Sequence, residues 1–340
     1  MRWAVIVAGG SGSRFWPLST PRLPKQLLPL AGPRSTAETS LDRLLRIVDR
    51  SRVLLVTSPD LAGPIGGRLG LPQENVLVEP APKSTGPALA WAAHEAFRRD
   101  PEAVVLCSHA DWEVPDAEGF VRVAAQALDL AGRTEALITV GIVPTRPEIG
   151  YGYIVPGTPL DEAHRVAQFR EKPTAAVAAD LIAGGALWNS GLFAWRAAVV
   201  RNQLRRFTPE IGPALESLDR GDIAGFFEAC RSVSIDVGLL ERSPDVVVIR
   251  GDFLWDDIGS WEALARVRPA DPAGNVLVGN VIPIDSQRVI AWSERTPIVV
   301  AGLSDVVVVE ANGRILIMDR RRAPDLKAIL AQLPPNVREI

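Results

Sequence analysis

Trp3-Ala4-Val5-Ile6-Val7-Ala8-Gly9-Gly10-Ser11-Gly12-Ser13-Arg14 opens the chain and decides how the rest is read. The apolar, largely β-branched run at 3–7 fits a strand buried on both faces, as in a parallel sheet. It breaks on glycines, which let backbone N–H groups close around an anion with no Cβ in the way. Arg14 adds a bidentate phosphate fork, and Lys25, eleven residues further on, adds a point charge. A glycine pair alone would equally describe a tight strand-to-helix turn with solvated cations. The spacing Gly-Gly-x-Gly-x-Arg directly after a first strand favours phosphate binding. It is not a Walker A loop, because Gly-Lys-Ser/Thr is missing, and it fails the Gly-x-Gly-x-x-Gly spacing.

Outward from this stretch, short apolar runs at 53–57, 76–79, 104–107 and 136–142 alternate with amphipathic stretches at 41–48, 86–99 and 120–131. In the second of these stretches Leu89, Ala92, Ala93, Ala96 and Phe97 recur at helical spacing. The alternation predicts an α/β fold: a Rossmann-like mixed, mostly parallel sheet flanked by helices. The middle of the chain predicts strands at 150–155 and 165–170 around a turn at 156–159. A helix at 175–183 ended by Gly184-Gly185, a strand at 192–195 and helices at 196–206 and 223–230 follow. Closely spaced strands at 276–283, 288–292, 298–300, 306–310 and 314–318 then predict a small β-rich, coiling domain, closed by a helix at 323–333. Arg-Pro-Ala-Asp-Pro-Ala-Gly at 268–274 reads as a linker, which gives domains 1–268 and 269–340.

The 340 residues suit two domains, and 47% hydrophobic against 23% charged side chains is enough to bury a core, which excludes global disorder. Thirty-seven basic and 40 acidic residues, net −3, argue against a protein that coats nucleic acid. No run approaches the roughly 18 apolar residues of a membrane span, and the first apolar run is too short for a signal peptide. The only cysteines, Cys107 and Cys230, form no CxxC motif, which excludes a disulfide scaffold or zinc ribbon and suits a reducing compartment. A cytoplasmic protein is expected, without a nucleic-acid or membrane partner.

The segment 9–19 with Pro24-Lys25 resembles the signature of sugar-1-phosphate nucleotidylyltransferases, and Phe15-Trp16-Pro17-Leu18-Ser19 resembles their mannose-1-phosphate guanylyltransferase branch. The likeness continues in order through Glu79-Pro80, 141–147, Gly150-Tyr151-Gly152, Glu171-Lys172-Pro173, Trp188-Asn189-Ser190-Gly191 and 255–261. The resemblance implies a nucleotide-diphospho-sugar transferase fold with a small β-helix-like C-terminal piece, too short to include the extra isomerase domain of bifunctional members. It implies Mg²⁺-dependent guanylyl transfer from GTP to α-D-mannose 1-phosphate, giving GDP-mannose and pyrophosphate.

Residue by residue, the resemblance makes Asp111 and Asp257 the Mg²⁺ ligands. Gly9, Gly10, Ser11, Gly12, Ser13, Arg14 and Lys25 would receive the nucleotide, and Lys172 would grip the sugar phosphate. Asn189, Glu171 and the Gly150-Tyr151-Gly152 turn resemble the set that binds sugar hydroxyls; an amide offers donor and acceptor together. The carboxylate of Glu79 can accept both donors on the Watson–Crick edge of guanine, with Ser84 and His109 nearby. Plainer readings stand beside these: a helix-capping Asp111, a surface Lys172, a salt-bridged Glu79, a strand-end His109. Asp256 reads as a solvated or supporting carboxylate.

Two segments depart from the family pattern. Cys107-Ser108-His109-Ala110-Asp111-Trp112 replaces the usual Leu-Pro-Ala/Ser-Asp-His, and Lys83-Ser84-Thr85-Gly86-Pro87 replaces Arg/Lys-Asn-Thr-Ala-Pro. Trp112 is expected at the cleft. These changes leave the reaction type in place and open the choice of base and sugar. The alternatives are another NTP or sugar 1-phosphate, or a non-catalytic nucleotide-sugar-binding regulator. A glycosyltransferase would lack the glycine loop. The apolar C-terminal strands are compatible with a homodimer.

Overall fold

The computed structural model describes residues 1–10 and 12–338; Ser11, one of the expected nucleotide-binding residues, lies outside them. The chain divides into two compact units, and neither follows a single cut in the sequence. Unit 1 comprises Met1–Gly9, Ser40–Ala110 and Val114–Trp255; unit 2 comprises Gly10–Thr39, Asp111–Glu113 and Asp256–Ile340. The expected boundary at 268/269 falls inside unit 2.

Unit 1 is built on β1 (Arg2–Ala8), whose residues from Trp3 onward are all buried. It pairs in parallel with β2 (Val53–Thr57), which pairs in parallel with β3 (Val76–Val78); on its other side lies β4 (Val104–His109), also parallel. The sheet continues with β5 (Leu137–Ile142), β6 (Gly152–Leu160), β7 (Ala163–Glu171), β8 (Leu187–Arg196) and β9 (Val246–Gly251) in the spatial order β3-β2-β1-β4-β8-β5-β9-β7-β6. Parallel pairing covers β3-β2-β1-β4 and β5–β9, whereas β8 runs antiparallel to both β4 and β5. Helices Thr85–Arg99 and Ala117–Arg133 turn alanine- and leucine-rich faces into this sheet.

The expected turn at 156–159 is instead part of β6. Prolines cannot donate to a ladder, and here they sit at register shifts against β7, so the strand passes through them and turns at Asp161, where φ is +51°. The helix Pro59–Leu69 gave no sequence signal because Gly63, Pro64, Gly66 and Gly67 dilute its apolar period. Pro59 starts it and left-handed Gly70 ends it.

Unit 2 contains a coil of short strands: β10 (Val276–Val278), β11 (Val281–Ile284), β12 (Ile290–Ser293), β13 (Ile298–Ala301), β14 (Val306–Ala311) and β15 (Arg314–Asp319). Alternate strands feed two parallel ladders, β10-β12-β14 and β11-β13, and β15 closes the first in antiparallel fashion. The single strand expected at 276–283 is two strands meeting at Gly279. There φ is +81° and a Cβ would lie 2.0 Å from the Ser293 carbonyl oxygen, so the corner requires glycine. The closing helix is a 3₁₀ stretch, Arg320–Asp325, running into Leu326–Leu330. One hydrophobic cluster joins Phe15, Trp16, Leu18, Leu28 and Leu30 to Trp261, Trp292, Val307 and Leu326. The segment after the glycines is therefore packed with the C-terminal strands. Among the described residues no helix is long and apolar enough to cross a membrane.

Candidate active site

In unit 2 two residues of the glycine stretch are left-handed, with φ +85° at Gly10 and +65° at Gly12. The Gly12 carbonyl accepts the Phe15 N–H (2.9 Å) and the Ser19 hydroxyl (2.9 Å). A Cβ on Gly12 would lie 2.4 Å from the Lys25 Cβ and 2.8 Å from its backbone nitrogen. Lys25 can lie against the turn only because Gly12 has no side chain. Gly9 and Gly10 face open space, so at Gly10 it is the backbone dihedral that asks for glycine.

The side chain of Lys25 is buried, and its ammonium donates to Asp111 Oδ2 at 2.8 Å and to the Asp257 carbonyl oxygen at 2.6 Å. One cation thus gathers three segments that are far apart in sequence, including both aspartates expected to act together. Asp111 and Asp257 are half-buried. The segments are also tied by backbone: Glu113 and Asp256 exchange two hydrogen bonds, 2.9 and 3.0 Å. Arg14 is exposed on the 3₁₀ turn Ser13–Phe15, and among the described residues its guanidinium has no partner. Trp112, expected at a cleft, is 4% exposed; an indole next to a charged turn is placed by packing. Asp256 is likewise buried rather than solvated, and paired with Arg266.

In unit 1 a second set gathers where β5, β6, β7 and β8 meet. Gly152 and Glu171 are paired in register, and a Cβ on Gly152 would lie 2.6 Å from Glu171 Oε2, so the missing side chain makes room for the carboxylate. Lys172 follows with φ +44°; its ammonium pairs with Glu171 at 2.9 Å and is largely exposed. Tyr151 packs edge-on against Trp188 and Trp255, which holds the Gly150-Tyr151-Gly152 turn.

Asn189 is already committed in part to neighbouring groups. Its Oδ1 accepts from the Thr139 hydroxyl (3.1 Å) and from the Gly191 N–H (3.3 Å), and its Nδ2 donates to Asp236 Oδ1 (2.8 Å). The amide therefore has one N–H left to offer and no spare acceptor.

Asp236 was not singled out from sequence. It lies in a π-helical turn, Asp236–Leu240, and only the fold brings it to Asn189. Burial, reinforced by the Glu171 carboxylate, pushes its carboxyl up to about 7, against the opposing hydrogen bond from Asn189. A lone Asp in an apolar stretch was the one available signal.

Of the residues expected around the base, Glu79 and His109 lie at the ends of unit 1 strands and Ser84 at the start of a helix. Just after β3, the Glu79 backbone N–H donates to the carbonyl of Thr57, the last residue of β2, and burial pushes the Glu79 carboxyl up to about 7. Its Oε1 is buried without a hydrogen-bond partner among the described residues, so it is not the salt-bridged strand end of the plainer reading. Ser84 has φ +70° at the start of helix Thr85–Arg99, and Thr85 accepts the Ile235 N–H at 3.0 Å, next to Asp236. His109 ends β4, and its carbonyl accepts the Ser40 hydroxyl at 3.0 Å.

The nucleotidyl transferase family model matches residues 3–273, spanning every site residue described above. The chain belongs to that family. A MannoseP isomerase/GMP-like β-helix domain matches residues 279–333 of this nucleotidyl transferase, the coil of β11 to β15. Mannose-1-phosphate guanylyltransferase ManC of Salmonella typhimurium is 35% identical over 356 residues, covering 99% of this chain and 74% of that protein. The alginate biosynthesis protein AlgA of Pseudomonas aeruginosa is 33% identical, over 97% of this chain and 71% of that one. A crystal structure described as mannose-1-phosphate geranyltransferase from Thermus thermophilus superposes on this nucleotidyl transferase with a TM-score of 0.92. It is 32% identical and covers 97% of this chain and 98% of its own.

Proposed function

We propose that this nucleotidyl transferase joins GTP to mannose 1-phosphate, forming GDP-mannose and pyrophosphate. The observation that carries the chemistry is the buried Lys25 ammonium that holds the Asp111 carboxylate and the Asp257 carbonyl at the end of a glycine turn. The substrate pair is supported by relatives named mannose-1-phosphate guanylyltransferase in Salmonella typhimurium and Escherichia coli.

A sugar phosphate oxygen attacks the α-phosphorus as pyrophosphate leaves. Both reactants are anions, so fixed positive charge must offset their repulsion and the charge that develops on the leaving group. Arg14, exposed and without a partner among the described residues, is available for the β- and γ-phosphates. The backbone N–H groups of Gly10 and Gly12 would help to cradle them, as positive-φ residues do for anions. Lys25 stays close to the reacting centre because burial fixes its ammonium. Lys172 would seat the sugar phosphate. Glu171, Asp236 and the remaining Asn189 N–H would face sugar hydroxyls, with both carboxyls accepting. Glu79 would accept from guanine. No covalent nucleophile is needed, since positioning and electrostatics account for transfers of this type.

A divalent cation fits the chemistry of the donors. Asp111 and Asp257 supply hard oxygen ligands, and a cation, the Lys25 ammonium, already lies against oxygens of both residues. Among the described residues no group of three or more His, Cys, Asp or Glu gathers for a metal, so the protein would supply two carboxylates and leave the rest to phosphate and water. Bound there, Mg²⁺ would neutralise phosphate charge.

The test is a pyrophosphate-release panel of GTP, ATP, UTP and dTTP against several sugar 1-phosphates, with and without Mg²⁺. GTP with mannose 1-phosphate should be the best pair and should need the metal. Release with no pair overturns the enzyme reading; a different best pair overturns the substrate assignment.

A further inference from the structure

Asp257 is a half-buried aspartate on a short loop, and something must fix its backbone if its carboxylate is to meet a cation in one orientation. The residue after it, Ile258, is fully buried with φ +42°, a conformation that β-branched side chains avoid. Such a dihedral persists only where neighbouring contacts impose it. Those contacts converge on Asp256. Its Oδ1 accepts the Ile258 N–H at 2.8 Å, bracketing Asp257 in a closed turn. The same carboxylate receives Arg266 through two bonds, Nε to Oδ2 at 2.5 Å and Nη2 to Oδ1 at 3.0 Å. A fork-to-fork pair fixes both oxygens in plane, which a single ammonium would not.

Arg266 rides on the short helix Leu264–Val267, directly after Trp261–Ala263. That element is anchored: the Trp261 indole donates to the Trp16 carbonyl at 3.2 Å and packs edge-on against Phe15, two residues of the segment that carries Lys25. On its other side Asp256 exchanges two backbone hydrogen bonds with Glu113, two residues after Asp111. Asp256 therefore touches, through its side chain, the loop of one expected metal ligand and, through its backbone, the loop of the other.

We infer that the Asp256–Arg266 pair is a positioning device that sets the Asp257 loop against the Asp111 loop, so that the two aspartates can act on one cation. The inference rests on the metal reading of Asp111 and Asp257 proposed above. Asp256 and Arg266 act through Asp257 and are positioning residues. Partners that orient a metal ligand typically cost 10- to 100-fold in metal affinity when removed.

The test uses the full-length enzyme with GDP-mannose, whose phosphates hold Mn²⁺ weakly on their own, and follows free Mn²⁺ by its six-line electron paramagnetic resonance signal. Arg266→Met and Asp256→Asn should each weaken Mn²⁺ retention by about tenfold or more. Arg266→Lys, which keeps charge but loses the fork, should fall between them and the parent. Metal-free binding of GDP-mannose, read by tryptophan fluorescence, should stay within twofold. Asp256→Asn keeps an acceptor for Ile258 and nearly the same volume, and it decides the matter if Arg266→Met does not fold.

Asp257→Asn separates the two layers of the argument. If it abolishes Mn²⁺ retention while Arg266→Met and Asp256→Asn hold Mn²⁺ within twofold of the parent, the positioning role is overturned and the metal reading stands. If the parent retains no Mn²⁺, or Asp257→Asn retains it fully, both are overturned. Equal loss of metal-free GDP-mannose binding in the pair variants would mean general disruption and also overturns the positioning role.

Discussion

Glu79 offers a prediction whose size follows from its surroundings. Burial raises its carboxyl from the ordinary 4.5 to about 7, so the acid and its anion are nearly balanced at neutral pH. Such a shift corresponds to about 3 kcal/mol against the buried anion, and partial exposure reduces that to about 2 kcal/mol. For stability the sign is fixed. The folded state holds the proton more tightly than the unfolded chain, so the penalty is absent below about 4.5, grows between about 4.5 and 7, and is constant above. Glu79→Gln should remove it, raising the melting temperature at pH 8 and changing nothing at pH 4.

Guanine binding has the opposite need, because both of its donors require an ionised acceptor. The ionised fraction falls from about nine-tenths at pH 8 to about one-tenth at pH 6, so KM for GTP should rise about tenfold across that range. In Glu79→Gln, KM should be high, about tenfold above the parent at pH 8, and independent of pH once divided by the nucleotide's own ionisation, which is common to both enzymes. Initial rates of pyrophosphate release at pH 6, 7 and 8 measure this. A parent KM that is flat with pH, or a Glu79→Gln enzyme that selects GTP over ATP as well as the parent does, refutes the assignment.

Three further outcomes are expected. Asp111→Asn should keep its circular dichroism spectrum yet lose at least about 100-fold in turnover, since the carboxylate that Lys25 holds at 2.8 Å is gone. Gly12→Ala should lower stability by about 1–2 kcal/mol for the left-handed dihedral alone, and more for the 2.4 Å approach to Lys25, with a loss of turnover larger than its fall in melting temperature suggests. Asp236→Ala should raise KM for mannose 1-phosphate by about tenfold, the worth of one or two hydrogen bonds, with KM for GTP unchanged in the same assay.

Legibility in the sequence followed the range of the interactions. β1, β2 and β4 were readable because each is a short apolar run buried on both faces, a pattern that local composition alone reports. The cluster of Gly12, Lys25, Asp111 and Asp257 was readable only through ordered motifs, because spacing says nothing of a lysine meeting an aspartate 86 residues away. Asp236 and Thr139 escaped notice: their partner is Asn189, and the contacts cross between strands and a π-turn that no period announces. The helix Pro59–Leu69 failed for a different reason, since proline and glycine carry a strong contrary prior that tertiary packing overrode.

The linker read at 268–274 lies beside the gap between the two family-model matches, 3–273 and 279–333, and inside one compact unit. A Pro- and Gly-rich stretch marks a turn in the chain, but cooperative packing is decided by which apolar surfaces are buried together. Phe15, Trp16 and Leu18 precede Lys25, Leu28 and Leu30 follow it, and all five enter one cluster with Trp261, Trp292, Val307 and Leu326. Each such burial contributes roughly 1.5–3 kcal/mol. Asn312 adds a direct tie, its amide donating to the Pro17 carbonyl at 2.9 Å. The strands after residue 276 are therefore packed with the segment that carries Lys25, and the ammonium of that lysine ends on oxygens of Asp111 and Asp257.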